Sequence, residues 1–334
     1  MIKYKNNHEH VAKDGQIQKL IPDEITECAL YLEKKYGEPC SDSDTVNAIG
    51  AAIGVKGDPA RIIAEAKTKL ACEDEKCVLR KLEHKIGSEL VRAQIDTRFK
   101  LRGPNGIELL SNFDIDGTLK QWCARFKDFY PYNFNMLNYM DYSIRDGYVT
   151  PAADTLATVK FQDLYAQGYR CGACVINSDR YQGRGKHWMA LFFDARSPKW
   201  SVEFFNSGGN APAAEWVNWL LKTQEQMQDV AKSIRARNAT EITVDVVKSS
   251  SIRHQHSRTE CGLYSLFYIY ARLCGTPYGY FRTTPVPDQL MFELRQHLFI
   301  DKDNGHSGLV TQGGKPVFNF DEFKKKIKVQ WEYD

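Results

Sequence analysis

Residues 261–273 read CGLYSLFYIYARL, and they set the problem of the fold. Nearly every position is apolar. A helix with no polar face belongs in the middle of a domain, with other elements packed around it. The segments able to surround it lie on both sides. Four short β-prone runs occur, CVIN (174–177), WMALFF (188–193), WSVEFF (200–205) and ITVDVV (242–247). Between the last two, AEWVNWLLKTQEQMQDVAKSI places Trp216, Trp219, Leu220, Met227 and Ile234 on one helical face. Residues 104–300 are therefore predicted to form an α+β domain, with helices on a small mixed sheet and the 261–273 helix buried at its centre.

The flanks have a different texture. Residues 1–103 read as a helical domain. DPARIIAEAKTKL opens with Asp58 as N-cap and Pro59 at the first helical position. CVLRKLEHKIGSELVRAQI follows, with Leu79, Leu82, Ile86 and Leu90 at helical spacing. RGPNG (102–106) stops it and marks the boundary. Residues 301–334 form a C-terminal extension. It is polar and glycine-bearing at first, with QGGK at 312–315 in what reads as a flexible tail, and aromatic and basic at the end.

Composition narrows the classes of function. The 43% hydrophobic and 26% charged residues are ordinary for a globular protein, and 45 basic against 42 acidic residues imply no strong polyanion partner. The N-terminal stretch lacks the apolar core of a secretory signal, and no apolar run approaches the ~18 residues of a membrane span. The nine cysteines are scattered and odd in number, which argues against a disulfide framework and for a reducing, intracellular setting. Neither HEH (8–10) nor CEDEKC (72–77) has zinc spacing, so no metal or cofactor is expected. CGAC (171–174) has redox spacing but runs into a strand, where packing is the expected role. KKKIK (324–328) indicates nucleic acid only weakly.

FDIDGTL (113–119) raises a sharper alternative. Asp-x-Asp-Gly-Thr is the signature of magnesium-dependent phosphatases, with Asp114 as nucleophile. The context is wrong for it. The preceding LLSNF is not an apolar strand, and no downstream acidic pair suits magnesium. The stretch reads instead as a helix beginning after Thr118, with Asp116 as N-cap.

Cys261 stands at the start of the apolar helix, behind the polar run RHQHSRTE. Helix-terminal N–H groups and the dipole favour thiolate there, and Gly262 leaves the sulfur unshielded. A cysteine nucleophile needs a base. Of the histidines, His187 is placed where a glycine-rich loop enters an apolar strand, with Trp188 able to cover its ring; His8, His10, His84, His297 and His306 are on tails or outer helices. An orienter must accept from the second imidazole nitrogen. Asn206 ends the strand WSVEFF before a Ser-Gly-Gly turn and suits that task, with Asp194 and Glu203 as competitors. Glu203 points to the opposite strand face from Asn206. For a developing oxyanion, the N–H at the helix start is one donor and the Gln255 amide is the candidate for a second.

GKHWMALFFD, VEFFNSGGN and IRHQHSRTECGLYSLFYI together resemble the His, Asn and Gln-x5-Cys segments of the polyprotein-processing cysteine proteases of the African swine fever virus type. These stand with the SUMO-deconjugating and adenovirus-type cysteine proteases. The likeness spans roughly residues 72–299, and the tail has no counterpart. The resemblance implies a SUMO-protease-like core with an N-terminal helical arm, and His187 as base, Asn206 as orienter, Cys261 as nucleophile and Gln255 as oxyanion donor, with Trp188 and Gly262 lining the substrate slot. It implies cleavage of viral structural polyproteins after Gly-Gly during virion maturation, in the host cytoplasm and the virion. A SUMO- or ubiquitin-like deconjugating isopeptidase is the nearest alternative. The family keeps NFDIDGTL without chemistry, and its distant members carry Asp where Asn206 stands.

Overall fold

The computed structural model describes residues 17–104, 106–140, 144–145, 148–149, 155–181, 183–238, 241–248, 252–301 and 309–327. They fall into two compact units. One is built on Ile107–Phe292, the other on Ile21–Gly106 together with the described part of Glu293–Asp334.

In the first unit the β-prone runs become Cys171–Asn177, Trp188–Asp194, Lys199–Phe205 and Thr243–Val247. They form one mixed sheet. The first three are antiparallel neighbours, while Thr243–Val247 lies parallel to Lys199–Phe205. Phe129–Pro131 and Asn135–Met136 add parallel pairing at the outer edge of Cys171–Asn177. Alternation along the strands gives the sheet two different faces. Leu191, Phe193, Val202 and Phe204 pack with Trp216, Leu220 and Met227 of the long helix Ala214–Asn238. Phe192, Glu203 and Phe205 face the other way. On that side lies the helix Cys261–Leu273, buried at every position, with Tyr268 stacked on Phe205 at 4.4 Å. The α+β arrangement and the central helix are as the sequence predicts. Both cysteines of CGAC are free and buried in the strand Cys171–Asn177, on opposite faces, and burial pushes both thiols well up.

The FDIDGTL helix begins earlier than its sequence suggests. It spans Asn112–Trp122, with Ser111 as N-cap and Asp114 completing a capping box. Asp114 accepts from the Ser111 N–H at 2.8 Å, so the aspartate that resembles a phosphatase nucleophile serves as a helix cap. Asp116 is not the N-cap. It lies inside the helix, where its carboxylate accepts from the Phe134 N–H at 3.0 Å, and burial raises its pKa to about 6. The capping box supplied by Ser111 and Asp114 moved the start.

In the second unit, helices Ser43–Ile53, Pro59–Leu70 and Glu75–Ile86 begin at the aspartate caps Asp42, Asp58 and Asp74. The stretch 77–95 falls in two helices. Gly87, at φ +100°, ends Glu75–Ile86 and precedes Ser88–Arg98. Leu101–Gly103 pairs in parallel with Phe299–Asp301, and a side chain at Gly103 would lie within 2.3 Å of the Phe299 ring. Within the tail, Leu309–Gln312 and Lys315–Phe318 form a hairpin, with Gly313 and Gly314 as its two-residue turn. The Ile25 N–H donates to the Pro316 carbonyl at 3.2 Å, and Lys315 pairs with Glu24.

The cysteine expectation fails here. Cys28–Cys40 and Cys72–Cys77 are disulfides. An odd, scattered count conceals them because both are local. One closes the loop between Cys28 and Cys40, and the other ties the end of one helix to the first turn of the next. HEH (8–10) and His306 lie outside the described residues; of KKKIK, positions 324–327 belong to the helix Phe320–Ile327 and Lys328 lies outside. Among the described residues no helix is long and apolar enough to cross a membrane.

Candidate active site

His187 immediately precedes the strand Trp188–Asp194. The loop before it is fixed by Asn177, whose Oδ1 accepts from the N–H groups of Asp179 and Lys186, while the Ser178 N–H donates to the His187 carbonyl at 3.0 Å. The imidazole is thereby held at the sheet margin. Its Nε2 lies 2.8 Å from Asn206 Oδ1.

The tautomer follows from Asn206's other bonds. Oδ1 also accepts from the Gly208 N–H at 2.9 Å, and Nδ2 donates to the Asn210 carbonyl at 3.2 Å. The amide oxygen therefore faces the ring. Nε2 carries the proton, and Nδ1 is left with its lone pair. The competing carboxylates are engaged elsewhere. Glu203 is fully buried with Arg272, Tyr268 and Ser201, and Asp194 pairs with Arg196 and Arg272.

Cys261 opens the central helix and is 3% exposed. Trp188, the residue after His187, and Gly262, the residue after Cys261, both meet Leu110, which brings the strand start and the helix start together. The expected bias toward thiolate is outweighed. Burial is the larger effect and raises the thiol pKa, while the backbone N–H groups of Trp188 and Gly262 pull it down.

Gln255 is also buried. Its Oε1 accepts from Ser207 Oγ at 2.7 Å, and its Nε2 donates to the Ser257 carbonyl at 2.9 Å. Trp188 is half-buried. Its indole N–H donates to the Leu110 carbonyl at 3.1 Å, and Phe134 meets its ring edge-on. A Cβ on Gly262 would sit 3.1–3.3 Å from Leu110 carbons. Close packing against Leu110 is thus the local reason for glycine beside the sulfur. A pocket of about 390 Å³ opens beside His187 and Asn206, with Leu137, Met189, Gly208 and Trp216 among its other walls.

The structure brings His187, Asn206, Cys261, Trp188 and Gly262 into one region, with Gln255 tied to the residue after Asn206. Sequence reasoning missed Leu110, which meets both Trp188 and Gly262, and Ser207. Leu110 carries no signal at all. Ser207 had one: it adjoins Asn206 and opens the Ser-Gly-Gly turn, where only the strand end before it drew a role.

No protein-family model matches the chain. A cysteine protease of African swine fever virus, strain Badajoz 1971 Vero-adapted, is 35% identical over 248 residues, covering 70% of this chain and 85% of that one. The SUMO-1 cysteine protease of the Kenyan isolate Pig/Kenya/KEN-50/1950 matches to the same extent, 35% over 248 residues, with the same coverage. The crystal structure of the African swine fever virus protease aligns with a TM-score of 0.63 at 28% identity, over 85% of this chain and 98% of that one.

Proposed function

The chain belongs to the family of these African swine fever virus cysteine proteases, and on that footing we propose that His187, Asn206 and Cys261 are its catalytic base, orienter and nucleophile, with Gln255 as oxyanion donor. One observation carries the assignment. Asn206 holds His187 by Nε2 at 2.8 Å, in the tautomer that leaves Nδ1 with its lone pair, and the next residue, Trp188, meets the same Leu110 that packs on Gly262 beside the sulfur.

In this reading Nδ1 takes the thiol proton as sulfur bonds to the scissile carbonyl carbon. The resulting oxyanion is met by the N–H groups at the helix start and by Gln255. Collapse breaks the C–N bond, and the imidazolium returns the proton to the departing amine. Water, deprotonated by the same nitrogen, then hydrolyses the thioester.

The substrates we propose are viral structural polyproteins cut after Gly-Gly, in the host-cell cytoplasm and the virion. The resemblance of the His, Asn and Gln-x5-Cys segments supports this. Removal of a ubiquitin-like modifier is the second reading, favoured by the name SUMO-1 cysteine protease borne by a relative.

The test is turnover of Gly-Gly-X peptides beside a SUMO fusion and a ubiquitin fusion. Cys261→Ala and His187→Ala should each lower kcat by at least ~10³-fold, and Gln255→Ala by ~10²–10³-fold. Asn206→Ala should cost less than His187→Ala, because an amide orients the ring without neutralising it. Substantial peptidase activity in Cys261→Ala protein would remove the assignment, and preference for the fusions would move the substrate class to the second reading.

A further inference from the structure

Asn206 and Ser207 are consecutive, yet they serve different partners. Asn206 holds His187, whereas the Ser207 hydroxyl lies 2.7 Å from Gln255 Oε1. The direction of that second bond is determined. The Ser257 carbonyl, 2.9 Å from the other end of the amide, only accepts, so the NH2 group faces it and the oxygen faces Ser207. Ser207 therefore donates. Two bonds at opposite ends of a planar group fix both its position and its plane. An NH2 group has two hydrogens. One goes to Ser257, and the second has no partner among the described residues.

We propose that Ser207 is a positioning residue for catalysis: its hydroxyl fixes the Gln255 carboxamide so that the remaining N–H is held ready for the oxyanion. The inference rests on Gln255 acting as oxyanion donor. It goes further by making the dipeptide Asn206-Ser207 the common mount of the base and of the oxyanion donor. A preorganised donor contributes because nothing must reorient as charge develops. Freed of Ser207, the amide plane rotates and that advantage falls.

The main chain makes the hydroxyl separable from the fold. The N–H groups of His254 and Gln255 both donate to the Ser207 carbonyl, at 2.8 and 3.0 Å. Farther along, the N–H groups of His256 and Ser257 donate to Asp288 at 3.1 and 2.8 Å. These bonds persist in Ser207→Ala, so the loop stays in place while the amide loses its anchor.

The experiment compares Ser207→Ala, Ser207→Thr, Gln255→Ala and the Ser207→Ala/Gln255→Ala double variant of the full chain. Two readouts are taken, peptide turnover and alkylation of Cys261 by iodoacetamide. Alkylation uses the sulfur and His187 but develops no oxyanion. Ser207→Ala should lower kcat roughly 5–20-fold, as for one lost hydrogen bond in a water-poor site, with KM within about 2-fold. Its alkylation rate should match the parent. Ser207→Thr, which keeps a hydroxyl, should recover most of the turnover. In the Gln255→Ala background the alanine change should add nothing, since there is no amide left to orient.

Parent-like turnover of Ser207→Ala would overturn the proposal. So would an equal fall in alkylation, or a full multiplicative loss in the double variant. Parent-like turnover of Gln255→Ala would overturn the oxyanion assignment itself, a result distinct from these. If the alanine variant does not fold, Ser207→Cys keeps the volume with a weaker donor and is read in the same way.

Discussion

Glu203 and Arg272 meet in the interior through two bonds, Arg272 Nη2 to Oε1 at 2.7 Å and Nε to Oε2 at 2.9 Å. The pair joins the strand that runs up to Asn206, Lys199–Phe205, to the helix that begins at Cys261. Arg196 extends it, bridging Asp194 to the Arg272 and Leu273 carbonyls at the helix C-terminus. Removing one member of a buried pair typically costs ~3–5 kcal/mol, and loss of Glu203 leaves Arg272 only the Asp194 carboxylate that it shares with Arg196. Glu203→Ala should therefore lose about that much in urea unfolding. Arg272→Met combined with Glu203→Leu should recover a good part of it. A loss under about 1 kcal/mol for Glu203→Ala would show that Asp194, which also pairs with Arg272, is enough to hold the guanidinium.

The Cys261 thiol makes a prediction about pH. Burial holds its pKa above the ordinary thiol value, so the reactive thiolate forms late as pH rises. Alkylation by iodoacetamide should climb through the neutral and alkaline range and be far from its plateau at pH 6. A rate already at plateau near pH 5 would mean that the resting site holds a thiolate–imidazolium pair instead.

Asp116 should respond in the opposite sense from a surface carboxylate. Its folded pKa of about 6 exceeds the unfolded value of ~3.9, so between them the native chain binds more protons than the unfolded one. Stability from this group falls as pH rises from ~4 to ~6, and the full cost is present at pH 7. Asp116→Asn keeps an oxygen for the Phe134 N–H and carries no charge. Allowing for partial exposure, it should be ~1–2 kcal/mol more stable than the parent at pH 7 and no more stable at pH 4. Equal stability gains at both pH values would contradict a charge-based cause.

These cases also show where sequence is informative. The helix Cys261–Leu273 and the strands beside it were legible because an element without a polar face has few places to go. His187 and Asn206 were legible because each sits where a patterned strand meets a turn. The start of the Asn112–Trp122 helix was misread because two carboxylates in one motif can both cap, and only the Ser111 hydroxyl decides between them. The disulfides were missed because cysteine spacing does not report which sulfurs face each other. The exclusion of Asp194 and Glu203 as orienters is likewise spatial. It depends on two arginines, one of them 69 residues from Glu203 in sequence.

The chain's own diglycine gives the last prediction. Gly313 and Gly314 have φ of +57° and +80°, and Gln312 pairs with Lys315 across them. Positive φ at both central residues is the mirror-image turn that matches strand twist, and it is where two glycines fit without strain. A QGGK segment in this form is folded back on itself. Both flanking strands spend their hydrogen bonds on each other, and Pro316 is tied to Ile25. A protease cleft needs the same segment extended, with those backbone groups free. Under the Gly-Gly reading, the Gly314–Lys315 bond should thus be cut in a free VTQGGKPV peptide but spared in the folded chain. Catalytically inactive Cys261→Ala protein, incubated with active enzyme, should stay intact by mass spectrometry. The same protein, heat-denatured, should be cut there. Cleavage of the folded Cys261→Ala chain at the rate of the peptide would mean that the turn opens freely and protects nothing.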